Sequence, residues 1–254
     1  MSSDVQRRRG SRSGRGGRHH LRWQLGGGLD AWQWPQLGLI VGGWALGIAA
    51  GYAVVFVAEG SLGRPLATGI GLGVAALVLL VFALVFFRWR SPRGMFRLRF
   101  VDLVVGVLFG LIMPFVGAGW YQVFGASLAW PTYDVISRAN LVAGVAVPLV
   151  AAALLPVFFA GVVLVVVFAF VRRVLPSRAV AGVLAVAVAT AAWTALPLVL
   201  DGGVFAPPPA VSVAWGLGAT AVAMVTGRLW GAVTLSVVFV VVWIGLSLVG
   251  TVLG

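Results

Sequence analysis

Long runs without a charged residue dominate the chain, at about 37 to 58, 66 to 87, 101 to 124, 141 to 171, 179 to 200, 210 to 226 and 230 to 253. A helix that crosses the hydrocarbon core takes about 20 apolar residues, so each run predicts one membrane span. Arginines, Gly/Pro clusters or Trp bound every run, as membrane interfaces favour. The fourth run is the ambiguous one, because 31 residues at about 1.5 Å each extend about 46 Å against about 30 Å of hydrocarbon. One long tilted helix, kinked where Pro148 and Pro156 remove backbone donors, competes there with two short helices.

The arginines decide between them. With seven single crossings and the N-terminus inside, the cytoplasmic face receives Arg7, Arg8, Arg9, Arg12, Arg15, Arg18 and Arg22 of the tail and Arg88, Arg90, Arg93, Arg97 and Arg99 after the second span. It also receives Arg172, Arg173 and Arg178 after the fourth span and Arg228 after the sixth, leaving Arg64 and Arg138 outside. Cytoplasmic loops are enriched in basic residues, and splitting the fourth run would send Arg172, Arg173 and Arg178 to the wrong side. The expected fold is therefore an all-α integral membrane protein with seven transmembrane helices, N-terminus cytoplasmic and C-terminus outside, multi-pass in the cell (plasma) membrane.

Composition agrees. Of 254 residues, 61% are apolar and 9% charged, with a mean hydropathy of +1.07. A soluble domain carries roughly a quarter charged residues, so that class is excluded, and little chain remains for a separate soluble catalytic domain. The 18 basic residues are all arginine, and lysine is absent from a chain rich in Ala, Val and Gly, a codon signature of a high-GC prokaryotic genome. With no cysteine, disulfides, thiolate metal sites and cysteine nucleophiles are excluded.

Residues 1–36 are too polar and Gly-rich to pack and predict a disordered cytoplasmic tail, followed by an uncleaved first span. Trp23, Trp32 and Trp34 suit the headgroup layer, as do Trp120, Tyr121, Trp130 and Tyr133 around an outer loop at 125–140. Arg/Gly-rich segments bind RNA in some settings. Here the basic tail reads better as a topology determinant that meets anionic lipid at about 1 kcal/mol per basic residue. The same lipid contact is expected of Arg88, Arg90, Arg93, Arg97, Arg99, Arg172, Arg173 and Arg178. The expected partners are thus the bilayer and a possible membrane protein, and not nucleic acid.

Candidate chemistry is sparse. His19 and His20 are the only imidazoles and lie in the tail, where two neighbours do not close a metal site. The acids Asp4, Asp30, Glu59, Asp102, Asp134 and Asp201 all fall in the tail, in loops or at span ends, although transporters and intramembrane hydrolases keep such groups in the hydrocarbon. Within the spans stand the hydroxyls Thr190, Thr194, Ser212, Thr220, Thr234 and Ser236, which usually bond a carbonyl one turn back. A serine without a base has no route to activation, so no catalytic, cofactor or metal residue is assigned. Gly43, Gly47 and Gly51, and again Gly106 and Gly110, carry small-residue spacing that lets helices approach closely, and packing within the chain is favoured over a dimer seam.

From about residue 91 the order PVFFAGVVL (156–164), RRVLPSRAV (172–180), TALPL (194–198) and TGRLWGAVTLS (226–236) resembles the CPBP family, the CAAX-protease and bacteriocin-processing intramembrane proteins. The resemblance implies a long helix with an EExxxR motif, a histidine just before a proline, and a TGxLW turn leading to a helix whose histidine precedes Asn by four. At the corresponding positions this chain has Leu155, Pro156 and Ala160, then Ala195 or Leu196, then Ser236 and Val240. Water activation for peptide hydrolysis needs a general base and a polarising partner, and none is present, so no family site residue carries over. Helix rise also sets Ala160 about 16 Å, Ala195 about 24 Å and Ser236 about 9 Å from the inner ends of their spans. The resemblance therefore implies a degenerate, non-proteolytic member that binds a partner helix or lipophilic peptide in the old cavity. The competing readings are a small permease-like or accessory subunit of a transport or export complex and, behind it, an active protease.

Overall fold

A computed structural model describes residues 34–90, 94–123, 145–200 and 209–253. The described segments are helical, in the order α1 (Trp34–Leu62), α2 (Arg64–Arg90), α3 (Phe100–Val123), α4 (Val147–Val174), α5 (Arg178–Val199), α6 (Pro209–Thr226) and α7 (Leu229–Leu253). All but α6 are long and apolar enough to cross a membrane, six helices in total among the described residues. The chain is a polytopic, all-helical membrane protein. The tail with His19, His20, Trp23 and Trp32, the acids Asp4, Asp30, Asp134 and Asp201, Arg93, and the outer loop with Trp130, Tyr133 and Arg138 lie outside the described residues.

The described part of the fourth apolar run, Val147–Val174, is one continuous helix with local changes of winding. Pro148 follows directly on residues 145–146, which are themselves π-wound, and Pro156 lies inside the helix. Just beyond that ring, Phe159–Val163 is wound as a π-helix, and the Leu164 N–H reaches back five residues to the Phe159 carbonyl. The described first helix runs from Trp34, three residues before the apolar run, with Pro35 and Gln36 in its first described turn. Gly63, at φ 77°, makes the tight turn from α1 into α2, and Ser177, accepting from the Val180 N–H at 3.4 Å, caps α5 directly after Pro176.

Glycines set how closely the helices approach. A Cβ at Gly51 would stand 2.8 Å from the Gly71 carbonyl of α2, and one at Gly43 would stand 2.8 Å from the Phe82 ring. Gly106 and Gly110 face α7 in the same way, against Gly231, Leu235 and Val238. Both small-residue stretches are thus spent within the chain, where close backbones gain dispersion contacts that lipid would otherwise supply.

The centre of the bundle is aromatic. Phe158 and Phe159 of α4, Trp193 of α5, Trp215 of α6 and Phe239 of α7 form a continuous column with ring centroids 5.2–5.4 Å apart. Four helices contribute to it, so it ties α4 to the three that follow.

The arginines gather at one end. Trp34 at the start of α1 meets Phe170 near the end of α4, at 5.7 Å between ring centroids. The segment before α3 is bonded to the turn between α6 and α7, with the Leu229 N–H donating to the Met95 carbonyl at 3.0 Å. These contacts place Arg88, Arg97, Arg99, Arg172, Arg173, Arg178 and Arg228 at the same end of the bundle, whereas Arg64 lies at the other, 3.9 Å from Glu59.

Candidate functional site

Two features stand out against the uniformly apolar background, a buried ion pair at the arginine end and a lateral groove between α1, α4 and α5.

The ion pair grows from the first turn of α3. Asp102 accepts from the Arg99 N–H at 3.1 Å, which satisfies a donor that the helix start leaves without a partner, and a carboxylate there also suits the helix dipole. Its two oxygens accept from one terminal nitrogen of Arg228, at 3.0 and 3.3 Å, with the side chains 1% and 8% exposed. Arg228 reaches it from the TGRLW turn at 226–230, which Gly227 makes possible at φ 69°. Thr226 donates to the Val222 carbonyl at 2.8 Å and accepts from the Arg228 N–H at 3.2 Å, and the Trp230 indole donates to the Phe96 carbonyl at 2.8 Å. The turn is therefore clamped to the 94–99 segment by side chain and backbone together. Sequence reasoning treated Asp102 as one more acid at a span end and Arg228 as one more topology arginine. No local signal links the two, since they stand 126 residues apart in the chain.

Two of the span hydroxyls behave as their helical setting predicts, and two others, Ser236 and Thr68, are buried without a hydrogen-bond partner. Thr194 donates to the Thr190 carbonyl at 2.9 Å and Thr220 to the Gly216 carbonyl at 2.8 Å. Since that uses the Thr220 hydrogen, Thr190 is the donor in the 3.1 Å contact between the two hydroxyls. Ser236 is fully buried and its Oγ has no hydrogen-bond partner, as is true of the Trp193 and Trp215 indole nitrogens in the aromatic column. Among the described residues no base is bonded to this hydroxyl. Replacing it should cost nothing. Ser236→Ala removes an unpaired polar atom at nearly constant volume and is expected to raise stability by up to about 1 kcal/mol, read as thermal midpoint in detergent. A marked loss would show that the hydroxyl is held by a bond important to the fold.

The positions singled out by family resemblance are apolar apart from Ser236 and do not line one space. Leu155, Pro156, Ala160 and Leu196 are enclosed in the common core beside the aromatic column. Ala195 instead faces outward into the lateral groove, and Ser236 lies nearer the arginine end, about 10 Å along α7 from Leu229.

That groove, of about 500 Å³, runs between α1 and the paired α4 and α5, and Ile40, Trp44, Val163, Val167, Phe170 and Ala195 are among its walls. Trp44 closes its inner part by donating from its indole nitrogen to the Ala192 carbonyl at 3.0 Å. Val163 belongs to the π-wound segment, a local winding often found at functional sites. At the mouth, Arg173 holds its guanidinium 5.1 Å from the centroid of the Phe170 ring.

No family model, curated protein or solved structure matches the chain. Function therefore has to be argued from the two features themselves. Among the described residues no group of three His, Cys, Asp or Glu side chains could hold a metal. Of the arginines expected at the lipid interface, Arg88, Arg97, Arg99, Arg173 and Arg178 are exposed, while Arg90 is the last residue of α2. Arg172 is half-buried and folds back on the α4–α5 connection, donating to the Leu175 carbonyl at 3.0 Å and to that of Pro176.

Proposed function

We propose that the chain is a seven-span, non-proteolytic protein of the cell membrane, with a CPBP-like layout, that binds a lipophilic molecule by one hydrocarbon chain in the groove between α1, α4 and α5. The groove carries the reading. From Phe170 to Val163 it follows α4 for about 10 Å, and from Leu37 to Trp44 it follows α1 for about the same length. A partner helix would span about 30 Å of hydrocarbon and, at about 10 Å diameter, fill roughly 400 Å³ per turn. A space of about 500 Å³ receives little more than one such turn, so a single extended chain entering from the interface is the better fit.

Connectivity supports the reading of seven crossings. Because α5 begins at the arginine end, the chain must return there by the turn at Gly227, and α6, at 18 residues and about 27 Å, is what returns it. Packed against α3, α5 and α7, it needs less length than a lipid-facing span. The arginine end is then cytoplasmic, with the N-terminus, and the C-terminus lies outside. Loss of proteolysis is supported by the apolar residues at 155, 156, 160 and 195 and by the aromatic column beside them.

The test is photolabelling of the protein in bilayers with a hydrocarbon probe carrying a diazirine. Label should concentrate on peptides covering 37–44, 163–171 and 188–195. Ala191→Trp, which places a ring at an exposed position of the groove wall, should remove most of it, whereas Val183→Trp, exposed on the same helix away from the groove, should not. Label spread evenly over all lipid-facing helices would end the proposal.

A further inference from the structure

We infer that Trp44 is the floor of the groove and determines its specificity, admitting a plain hydrocarbon chain that ends short of the bilayer midplane. The inference rests on the groove reading above and adds the length and chemistry of the chain.

The blind end is built from two contacts between α1 and the α5 strand of the bundle. The Trp44 indole reaches from α1 to the Ala192 carbonyl of α5 at 3.0 Å, so its ring bridges the gap between the two helices. About 10 Å further along α1 the gap is shut, because a Cβ at Gly51 would stand 2.9 Å from the Leu200 Cδ2. Between those two levels, Trp44 is what stops a chain coming from the arginine end. The open end is fixed by Trp34, which is 78% exposed and stands 5.7 Å from the Phe170 ring of the groove wall, the setting that indoles favour at a membrane interface. Both α1 and α5 begin at that end, so depth increases from Leu37 to Trp44 on one wall and from Val188 to Ala192 on the other.

Length follows from these levels. A hydrocarbon core about 30 Å thick gives each leaflet about 15 Å, and the floor is met after about 10 Å. A chain of full leaflet length must therefore leave its last part outside the groove. Chemistry follows from the walls. Ile40, Val163, Val167 and Ala195 bring no polar side-chain atom, and the one N–H that a wall side chain does bring, that of Trp44, is already spent on Ala192. A hydroxyl or keto group carried to this depth would give up its hydrogen bonds without replacement.

The test places the full-length protein in phosphatidylcholine vesicles with a trace of one of two single-chain probes, each with a diazirine at its methyl end. One chain is about 10 Å long and the other about 15 Å, enough to reach the midplane. Peptides covering 37–44 and 188–195 should take the short probe about tenfold more than the long one, the factor for about two methylene groups kept in or out of the groove. Trp44→Ala should bring the two probes to parity and carry long-probe label on to 45–51, whereas Trp44→Phe, which keeps a ring without the N–H, should retain most of the selectivity. Val188→Trp, at an exposed wall position one turn nearer the mouth than Ala192, should exclude the short probe as well. A short probe with a hydroxyl in mid-chain should label the groove far less than its plain counterpart. Equal groove labelling by the short and long probes in the unaltered protein overturns the inference and leaves the groove reading standing, as does selectivity unchanged in Trp44→Ala or lost in Trp44→Phe. Should Trp44→Ala fail to fold, undiminished short-probe labelling of Val188→Trp overturns it in the same way. Absence of groove labelling by either probe defeats the groove reading itself.

Discussion

Asp102→Ala is expected to destabilise the protein by about 3–5 kcal/mol, because it leaves the Arg228 guanidinium buried without its counter-charge. Coulomb attraction does not by itself make the pair valuable, since taking two charges out of water costs several kcal/mol per ion. The penalty lies in breaking one side only. The Arg228 Nε already has no hydrogen-bond partner, so nothing in the turn is placed to take over from the carboxylate. Arg228→Met should cost less, since it removes the charge that most needs company and leaves a carboxylate still bonded to the Arg99 N–H. Asp102→Leu with Arg228→Met should recover most of the loss except about 1 kcal/mol for the vanished helix cap, and the coupling measured in that cycle should be large and favourable. Reversible unfolding in detergent, or thermal midpoints where unfolding is irreversible, gives the comparison. If Asp102→Ala costs under about 1 kcal/mol, water reaches Arg228 and the clamp is only a surface contact.

This pair also shows where sequence reading stopped. Apolar runs carry strong signals, since a span needs both length and the absence of charge, and six of the seven runs are described helices of crossing length. The fourth run could be read as one helix from the side on which Arg172, Arg173 and Arg178 must fall, and the structure has it continuous over Val147–Val174. The kink expected at Pro148 and Pro156 has its described counterpart at Pro156, which has a described preceding turn whose carbonyl loses its donor and which stands just before the π-wound Phe159–Val163. Asp102 and Arg228 are 126 residues apart in the chain, and nothing local marks them as partners. The groove was equally hidden, because its walls come from three helices and use the same Val, Ala and Ile that fill the core.

The apolar residues at the family-like positions have a physical counterpart in the packing around them. A polar site in the middle of the bundle would need water or paired charges, and the space beside Ala160 and Leu196 is taken instead by Phe159 and Trp193, both fully enclosed. The opening reaches the outer side of α5, at Ala195, one residue away from the enclosed Leu196. Successive helical residues face different directions, so a one-residue offset is enough to turn an internal position into a lipid-facing one.

Gly110→Ala is expected to destabilise the protein by about 1–2 kcal/mol and Gly110→Leu by considerably more, although alanine is the better helix former by about 1 kcal/mol. The propensity gain is outweighed because a Cβ at 110 would stand 2.7 Å from the Val238 Cβ and 2.8 Å from the Leu235 carbonyl, neither of which is the end of a flexible side chain. To admit it, α3 must move away from α7. In lipid that separation is not opposed by a hydrophobic force between helices, so what is lost is the dispersion contact along the whole seam. Gly42→Ala is the matched control, because nothing lies within 4 Å of a Cβ there, and it is expected to be neutral or slightly stabilising. Gly106→Ala should resemble Gly110→Ala, and the double variant should cost less than the two losses added, since the first substitution has already opened the seam the second would strain. Unfolding under a graded mixture of denaturing and mild detergent supplies the energies, and a disulfide engineered between α3 and α7 should form more slowly in the Gly106 and Gly110 variants but not in Gly42→Ala. Equal stability of Gly110→Ala and Gly42→Ala would show that α3 and α7 are not in backbone contact, and the packing of the whole C-terminal half would have to be redrawn.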